Sequence, residues 1–531
     1  MRKSAIFLLF VAFCLTILGL SAQGGIAVSP QTARTKTEAE GKQKPEDSKQ
    51  RPVAKSKVYL LHSDLLRKDA SHPDAQIVTG NVSFRHDSVY MYCDSACYYD
   101  KVSSFEAFGN VKMVQGDTLF LYGDRLYYDG LTQIAEMRCN VRMENRTTTL
   151  LTDSLNYDRV YNLGYFFDGG TLMDEQNVLT SEWGEYSPQT KQSVFNYNVK
   201  LVNPQFTLTS DTLRYNTASK IADIVGPSDI WSDANHIYSE KGTYNTVTGK
   251  ADLYDRSVLT NQGKQLTGDT LFYDRNTGVG EVFSRMVMTD TINRNMLTGE
   301  YGYYNEQTDY AFATDSAVAI DYSQGDSLFL HADTLLMETF HQNTDSMFRE
   351  MRAFHKVRFY RTDVQGTADS LVFSTVDSCL TMYRDPIIWN KNQQLLGEVI
   401  KVYMNDSTID WSHIIGQALS VERVDSTIYN QVTGKEMKSY FANGEMRKTE
   451  VIGSVRVVYY PMDSDSTLIG MNVSETSKLE IYLQDRKIER MVMSPKSNGV
   501  LYPMSQIPAG KDRLENFVCL LYTSPSPRDC S

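Results

Sequence analysis

The sequence predicts an all-β protein built from antiparallel two-strand repeats whose strands bend at a corner and pass from one sheet to another. Three observations predict it: acidic residues recurring about every 29 positions, apolar and tyrosine positions at strand spacing around each acid, and a Gly-Asn-Val marker between successive acids. The acids fall at Asp94, Asp124, Asp153, Glu182, Asp211, Glu240, Asp269, Glu300, Asp333, Asp369 and Glu398, at intervals of 30, 29, 29, 29, 29, 29, 31, 33, 36 and 29. Self-similarity at a fixed period marks a repeat architecture. The segments 122–129, 151–158, 209–216 and 267–274 (YGDRLYYD, LTDSLNYD, TSDTLRYN, TGDTLFYD) share one template.

Each element of the repeat has a physical reading. Leu126, Leu155, Leu213 and Leu271 follow the acid by two positions, and Tyr128, Tyr157, Tyr215 and Tyr273 follow it by four, which places both on one face of a strand. Leu121, Leu150, Leu208 and Leu266 precede the acid by three, an odd offset that would point them to the opposite face of a regular strand. For both sets to be buried the strand must bend between them. The residue just before the acid is small, as in Gly123, Ser210, Gly268, Gly299 and Gly397, and small residues suit a bulged corner where a strand changes sheet.

The second marker recurs as Gly80-Asn81-Val82, Gly109-Asn110-Val111, Cys139-Asn140-Val141 and Tyr197-Asn198-Val199, so each repeat holds two strands. Turn sequences such as Asn245-Thr246-Val247-Thr248-Gly249 separate them as hairpins. About thirteen repeats fit between residues 58 and 505. Glycine alternates with leucine two positions after the acid, at Gly184, Gly242 and Gly302, which predicts regularly spaced hollows along the inner wall.

The ends and the composition bound the rest. Arg2 and Lys3, the apolar run Ala5–Leu20 and the small residues near Ser21-Ala22 read as a signal peptide over 1–22, followed by a polar linker without structure over 23–57. Residues 506–531 are expected to be a disordered tail, and from about 519 the string CLLYTSPSPRDCS resembles a translated sequencing adapter. Sixty-five acidic against 53 basic residues leave a net charge of −12, which excludes nucleic acid as the leading partner. Cys93, Cys97, Cys139 and Cys379 are too few for a disulfide scaffold. No catalytic residue, metal site or cofactor motif emerges: the eight His are scattered, and each repeat offers one or two carboxylates where calcium needs six or more oxygens. His86-Asp87-Ser88 has triad residue types, but neighbours on a strand point to opposite faces.

These strands, with Gly-Asn-Val between them and a signal peptide in front, resemble the OstA/LptA family of periplasmic lipopolysaccharide-transport proteins in its long, Bacteroidetes-type form. The resemblance implies an elongated antiparallel β-jelly-roll, two sheets folded like a taco, with acyl chains held in an apolar groove lined by Leu121, Leu126, Tyr128, Leu150, Leu155, Tyr157, Leu208, Leu213, Tyr215, Leu266, Leu271 and Tyr273. It also implies a non-enzymatic periplasmic role, outer-membrane association, lipopolysaccharide or a related lipid as ligand, and pairing with other transport proteins or with itself end to end through open sheet edges. Two dozen strands at ~4.8 Å spacing would extend on the order of 100 Å. The alternatives are a parallel β-helix adhesin or polysaccharide-binding protein, and an outer-membrane β-barrel assembly-related protein.

Overall fold

The computed structural model describes residues 57–526, apart from 69–72, 233–234, 262, 324–325, 343, 406–407, 443–444, 464, 466 and 485–486. The signal peptide, and the linker up to residue 56, lie outside the described residues. No helix among the described residues is long and apolar enough to cross a membrane. The chain divides into two compact units that meet in sequence between Ala222 and Asp223. Each is considered by itself.

In the first unit the long strands contribute to two layers, and pairs of short strands take the place of a long one in others. The strand Thr148–Asp158 pairs its first half, Thr148–Thr152, with Gly170–Asp174, and its second half, Asn156–Asp158, with Leu163–Phe166. Its register against Ile134–Asn145 breaks between Arg138 and Val141, opposite Asp153. The same break recurs between Thr79 and Val82, Phe108 and Val111, and Asn196 and Val199. At each break the burial pattern changes parity: in Leu119–Asp129, residues 119, 121 and 123 are buried before the acid, and 126 and 128 after it. Both apolar sets therefore face the space between the layers.

The second unit repeats this plan. Asn235–Asn245 pairs Asn235–Tyr238 with Val258–Asn261 and Lys241–Tyr244 with Ala251–Tyr254. Register breaks fall between Phe283 and Met286, Thr314 and Ala317, and Phe354 and Val357.

The corner itself is a joint product of the two sequence markers. The Gly-Asn residues adopt consecutive left-handed conformations, with φ of 73° and 46° at Gly109-Asn110, 63° and 51° at Cys139-Asn140, and 66° and 51° at Tyr197-Asn198. Asparagine tolerates this region better than other side chains. Its carboxamide also donates to the acid sixteen residues earlier: Asn110 to Asp94 at 2.8 Å, Asn140 to Asp124 at 2.6 Å and Asn198 to Glu182 at 2.5 Å. In the second unit Arg285 makes the equivalent contact with Asp269 at 2.9 and 2.6 Å. The small residue before the acid sits at this bend. The Ser210 hydroxyl donates across it to the Thr212 carbonyl at 2.8 Å, while a Cβ at Gly123, Gly268 or Gly397 would lie 2.7 Å from Met137, 2.2 Å from Val282 or 2.5 Å from Ile414. Gly299 is held off the Thr314 carbonyl, 3.0 Å from where its Cβ would be.

Three expectations change. Every pairing described between strands is antiparallel, which overturns the parallel β-helix alternative. The outer faces carry ion pairs, such as Arg138–Glu136 at 3.2 Å and Arg142–Glu144 at 3.3 Å, while the apolar residues face inward, the reverse of the apolar outer band of a membrane β-barrel. Residues 506–521, expected as a disordered tail, pack against the sheet: Asp512, Leu514 and Leu520 bond through their main chain to Gln431 and Gln394. Buried side-chain partners satisfy those peptide groups, which a disordered segment leaves to water.

Valine at position 140 is expected to cost about 1–2 kcal/mol because a β-branched residue resists the left-handed region, whereas Asn140→Gly costs less. Urea unfolding of the two variants checks this order.

Candidate functional site

The two layers meet again at their free ends, opposite the corners. The polar residue six positions after the first left-handed residue of each corner closes one layer: His86, Gln115, Asn145 and Asn203. In the first unit the tyrosine four positions after the acid closes the other, and hydroxyls such as those of Tyr128, Tyr186 and Tyr215 reach across. The hydroxyl of Tyr128 lies 2.7 Å from Nδ1 of His86 and accepts from Arg159 at 2.5 Å. Asn145 donates to Tyr186 at 3.2 Å, and Tyr215 donates to Asp174 at 2.8 Å while accepting from Asn177 at 2.9 Å. Asp174, with no exposed surface, is also held by Lys220 at 2.8 Å. In the second unit Asn235 donates to Tyr273 at 2.7 Å. His86 thus serves as a latch for a tyrosine, with its Nε2 3.7 Å from the Asp87 carboxylate.

Behind this latch the interior is filled. Phe84 stacks on Phe105 with ring centroids 4.1 Å apart, and Tyr128, Tyr157, Tyr215, Phe166 and Phe195 have under 2% of their surface exposed. Burial pushes the hydroxyls of Tyr98 and Tyr128 up to about 12, with Arg159 opposing the rise at Tyr128. It raises Tyr157 and Tyr273 as well. The hollows expected at glycines are occupied: a Cβ at Gly184 would lie 2.6 Å from Phe166, at Gly242 3.0 Å from Leu253, and at Gly302 2.6 Å from Met286. Leucine at these positions would crowd the core rather than block a channel.

All twelve residues expected to line a groove are buried. Leu121, Leu126, Tyr128, Leu150, Leu155, Tyr157, Leu208, Leu213, Tyr215, Leu271 and Tyr273 are at most 3% exposed, and Leu266 borders open space. That space is a cavity of about 460 Å³ in the second unit, within the ~300–1,000 Å³ typical of small-molecule sites. Leu259, Leu266, Leu297, Leu328 and Leu330 line it from one layer, and Ala311, Leu335, Met337, Met351 and Phe373 from the other.

The cavity opens where the latch is lost. Four positions after the acid stand Tyr304, then Met337 and Phe373, and all three line the cavity. Neither Met nor Phe brings a hydroxyl to the polar row, here Asn261, Asp290 and Asp321. The strands also lengthen: Leu328–Phe340 and Phe348–Arg361 run 13 and 14 residues and pair as far as Phe340 with Phe348. This layer therefore extends past the latch level. The acid intervals of 31, 33 and 36 residues are the sequence trace of that extension.

The rim is charged. Arg349 pairs with Asp309 at 2.7 Å, and Asp290 accepts the amides of Ile292 and Asn293 at 3.0 and 2.8 Å. Burial raises the Glu306 carboxyl, with the neighbouring Asn261 and Lys264 opposing the rise. Five acids, Asp290, Glu306, Asp309, Asp321 and Glu350, face two bases, Lys264 and Arg349. Residue spacing alone missed the cavity, although the loss of tyrosine at 337 and 373 carried its signal.

A match to the family described as OstA-like protein covers residues 55–211, 207–269 and 230–322. The chain belongs to the OstA-like protein family. Among solved structures, this OstA-like chain is similar to LptH from Pseudomonas aeruginosa, described as the LptA-homologous periplasmic component of the conserved lipopolysaccharide transport device, at 13% identity and a TM-score of 0.21, over 26% of this chain and 95% of LptH. Comparison with curated proteins gave no match.

Removing the Tyr215 hydroxyl in Tyr215→Phe takes a hydrogen bond from buried Asp174 and is expected to cost about 1–3 kcal/mol in urea unfolding. The raised phenols predict a pH limit. Their folded values lie above the ordinary 10, so stability is complete below pH 10 and is lost as pH rises from 10 towards about 12, where only the unfolded chain has ionised. Exposed tyrosines ionise first, and a second rise in phenolate absorbance, from the buried phenols, should then appear together with unfolding.

Proposed function

We propose that this protein is a non-enzymatic periplasmic lipid carrier that bridges lipopolysaccharide, or a related lipid, towards the outer membrane, with acyl chains seated in the cavity between residues 259 and 375. The observation that carries this reading is an apolar space of about 460 Å³ placed where the tyrosine latch is absent. Burial of hydrocarbon supplies the binding energy, at ~0.8 kcal/mol per methylene. The acidic rim disfavours a bare phosphate, so head groups stay in water or are bridged by divalent cations. Family membership supports the transport context, and the apolar run before Ser21 supports export by a signal peptide.

Bridging is supported by unprotected strands at both ends of the repeats. Among the described residues, Tyr59–His62 and Leu65–Lys68 pair only with Gln76–His86 and expose Tyr59, Leu61, Leu65 and Leu66. Among the same residues, Lys487–Pro503 pairs only with Gly470–Gln484 and exposes Val500 and Leu501. Open edges of this kind accept a strand from another transport protein or from a second copy.

Filling the cavity with Ala311→Phe and Met337→Trp together should lower lipopolysaccharide bound by the purified chain about tenfold, ~1.4 kcal/mol, at unchanged secondary structure by circular dichroism. Equal binding by the double variant would remove the cavity as the lipid site. Uptake of polysaccharide without any lipid would remove the lipid reading itself.

A further inference from the structure

The outer face of the strands between Ile387 and Tyr460 differs from the outer faces of earlier repeats. After Val111, Val141 and Val199 the next residue points outward and is charged: Lys112, Arg142 and Lys200. Its counterpart after Gly416-Gln417-Ala418 is Leu419, which is buried and clusters with Val421 and Tyr429. Two carboxamides with no exposed surface, Gln394 and Gln431, stand in the same face. Buried carboxamides need hydrogen-bond partners.

Both find them in main chain. Gln431 donates to the Asp512 carbonyl at 2.8 Å and accepts the Leu514 amide at 2.9 Å. Gln394 donates to the Val518 carbonyl and accepts the Leu520 amide at 2.7 Å. Each glutamine thus reads a carbonyl and the amide two residues later, the pair that an extended backbone presents on one side. The step along the segment is six residues. Turns closed by the amides of Lys511 on Pro508 (3.2 Å), Phe517 on Leu514 (2.9 Å) and Thr523 on Leu520 (3.0 Å) follow the same step. Between the main-chain bonds, Phe517 packs on Tyr429 with centroids 5.6 Å apart, and Glu515 pairs with Arg456 at 2.7 Å. The four glutamine bonds involve no side chain of the segment, so Gln394 grips residues 518–520 although that string departs from the repeat pattern.

We propose that this outer face is a docking track for a polypeptide main chain, and that residues 507–520 are the ligand it holds in this molecule. The track lies on the opposite side of the sheet from the apolar interior and stands whether or not the cavity takes lipid. Its recognition is for backbone at a six-residue step, with an apolar side chain between the two grips.

A specific protease site placed at residues 504–506 of the full chain and cut after folding frees the segment's link while leaving the segment in place. A labelled peptide of residues 507–520 is then expected to exchange into the track. N-methylation of its Leu514 amide removes one N–H and keeps every side chain, and should weaken capture about tenfold. Gln431→Leu removes both of its main-chain bonds and should weaken the unmodified peptide at least as much, with no further loss when the two changes are combined. In the uncut chain, Gln394→Leu with Gln431→Leu should speed tryptic cleavage after Lys511 and Arg513 about tenfold while the melting temperature of the sheet holds. Equal capture of methylated and unmethylated peptide, or cleavage in the native chain as fast as in the double variant, overturns the track. Lipid binding by the uncut chain is a separate readout, so neither result depends on the other.

Discussion

Each strand of this protein carries two apolar sets at an odd offset, and burying both requires the strand to turn over between them. The corner meets this demand by placing two consecutive residues in the left-handed region and tying them to an acid on the preceding strand. Neither component suffices alone. Left-handed residues without the acid leave an exposed bulge with an unpaired carboxamide, and the acid without them has no donor at its level. Because the tie spans sixteen residues, a repeat length near 29 holds every corner in line with the next. The two-layer architecture follows from that alignment.

Once strands fold over, their free ends must also be closed, because a core open to water along one side forfeits much of its hydrophobic stabilisation. A buried tyrosine answers this with apolar bulk below and a hydroxyl above, and polar residues at the hairpin ends satisfy that hydroxyl. In the first unit the row is well bonded and the interior is filled. At positions 337 and 373 the tyrosine is replaced by Met and Phe, the strands grow longer, and the layers leave an apolar space. Closure and cavity are thus two outcomes of one position in the repeat. This concentrates open apolar space in a few repeats, beneath a rim in which acids outnumber bases.

The two surfaces of the sheet serve different ends. Inward, alternation of aliphatic and aromatic residues makes the core. Outward, charged residues keep many repeats solvated, while near residues 387–460 the outer face carries the buried carboxamides Gln394 and Gln431 beside Leu419 and Val421. That local exchange of Lys or Arg for Leu419 turns a solvated face into one that holds a peptide segment.

The repeat period, the strand identity of each segment, the parity change at the acid and the membership of Leu121, Leu126 and Tyr128 in the core were legible in residue spacing, because strand periodicity and side-chain burial are local properties. Sequence also carried the constant sixteen-residue separation of acid and asparagine, although its meaning required seeing the two side chains meet. Tertiary structure alone decided how tightly the layers close. Phe166 fills the hollow that Gly184 appeared to leave, and His86 meets Tyr128 across 42 residues. Packing of this kind depends on which side chains face one another across two layers, a relation that a one-dimensional period does not contain. Sequence by itself therefore determined where the strands fold over, and only the tertiary structure decided where they leave room between them.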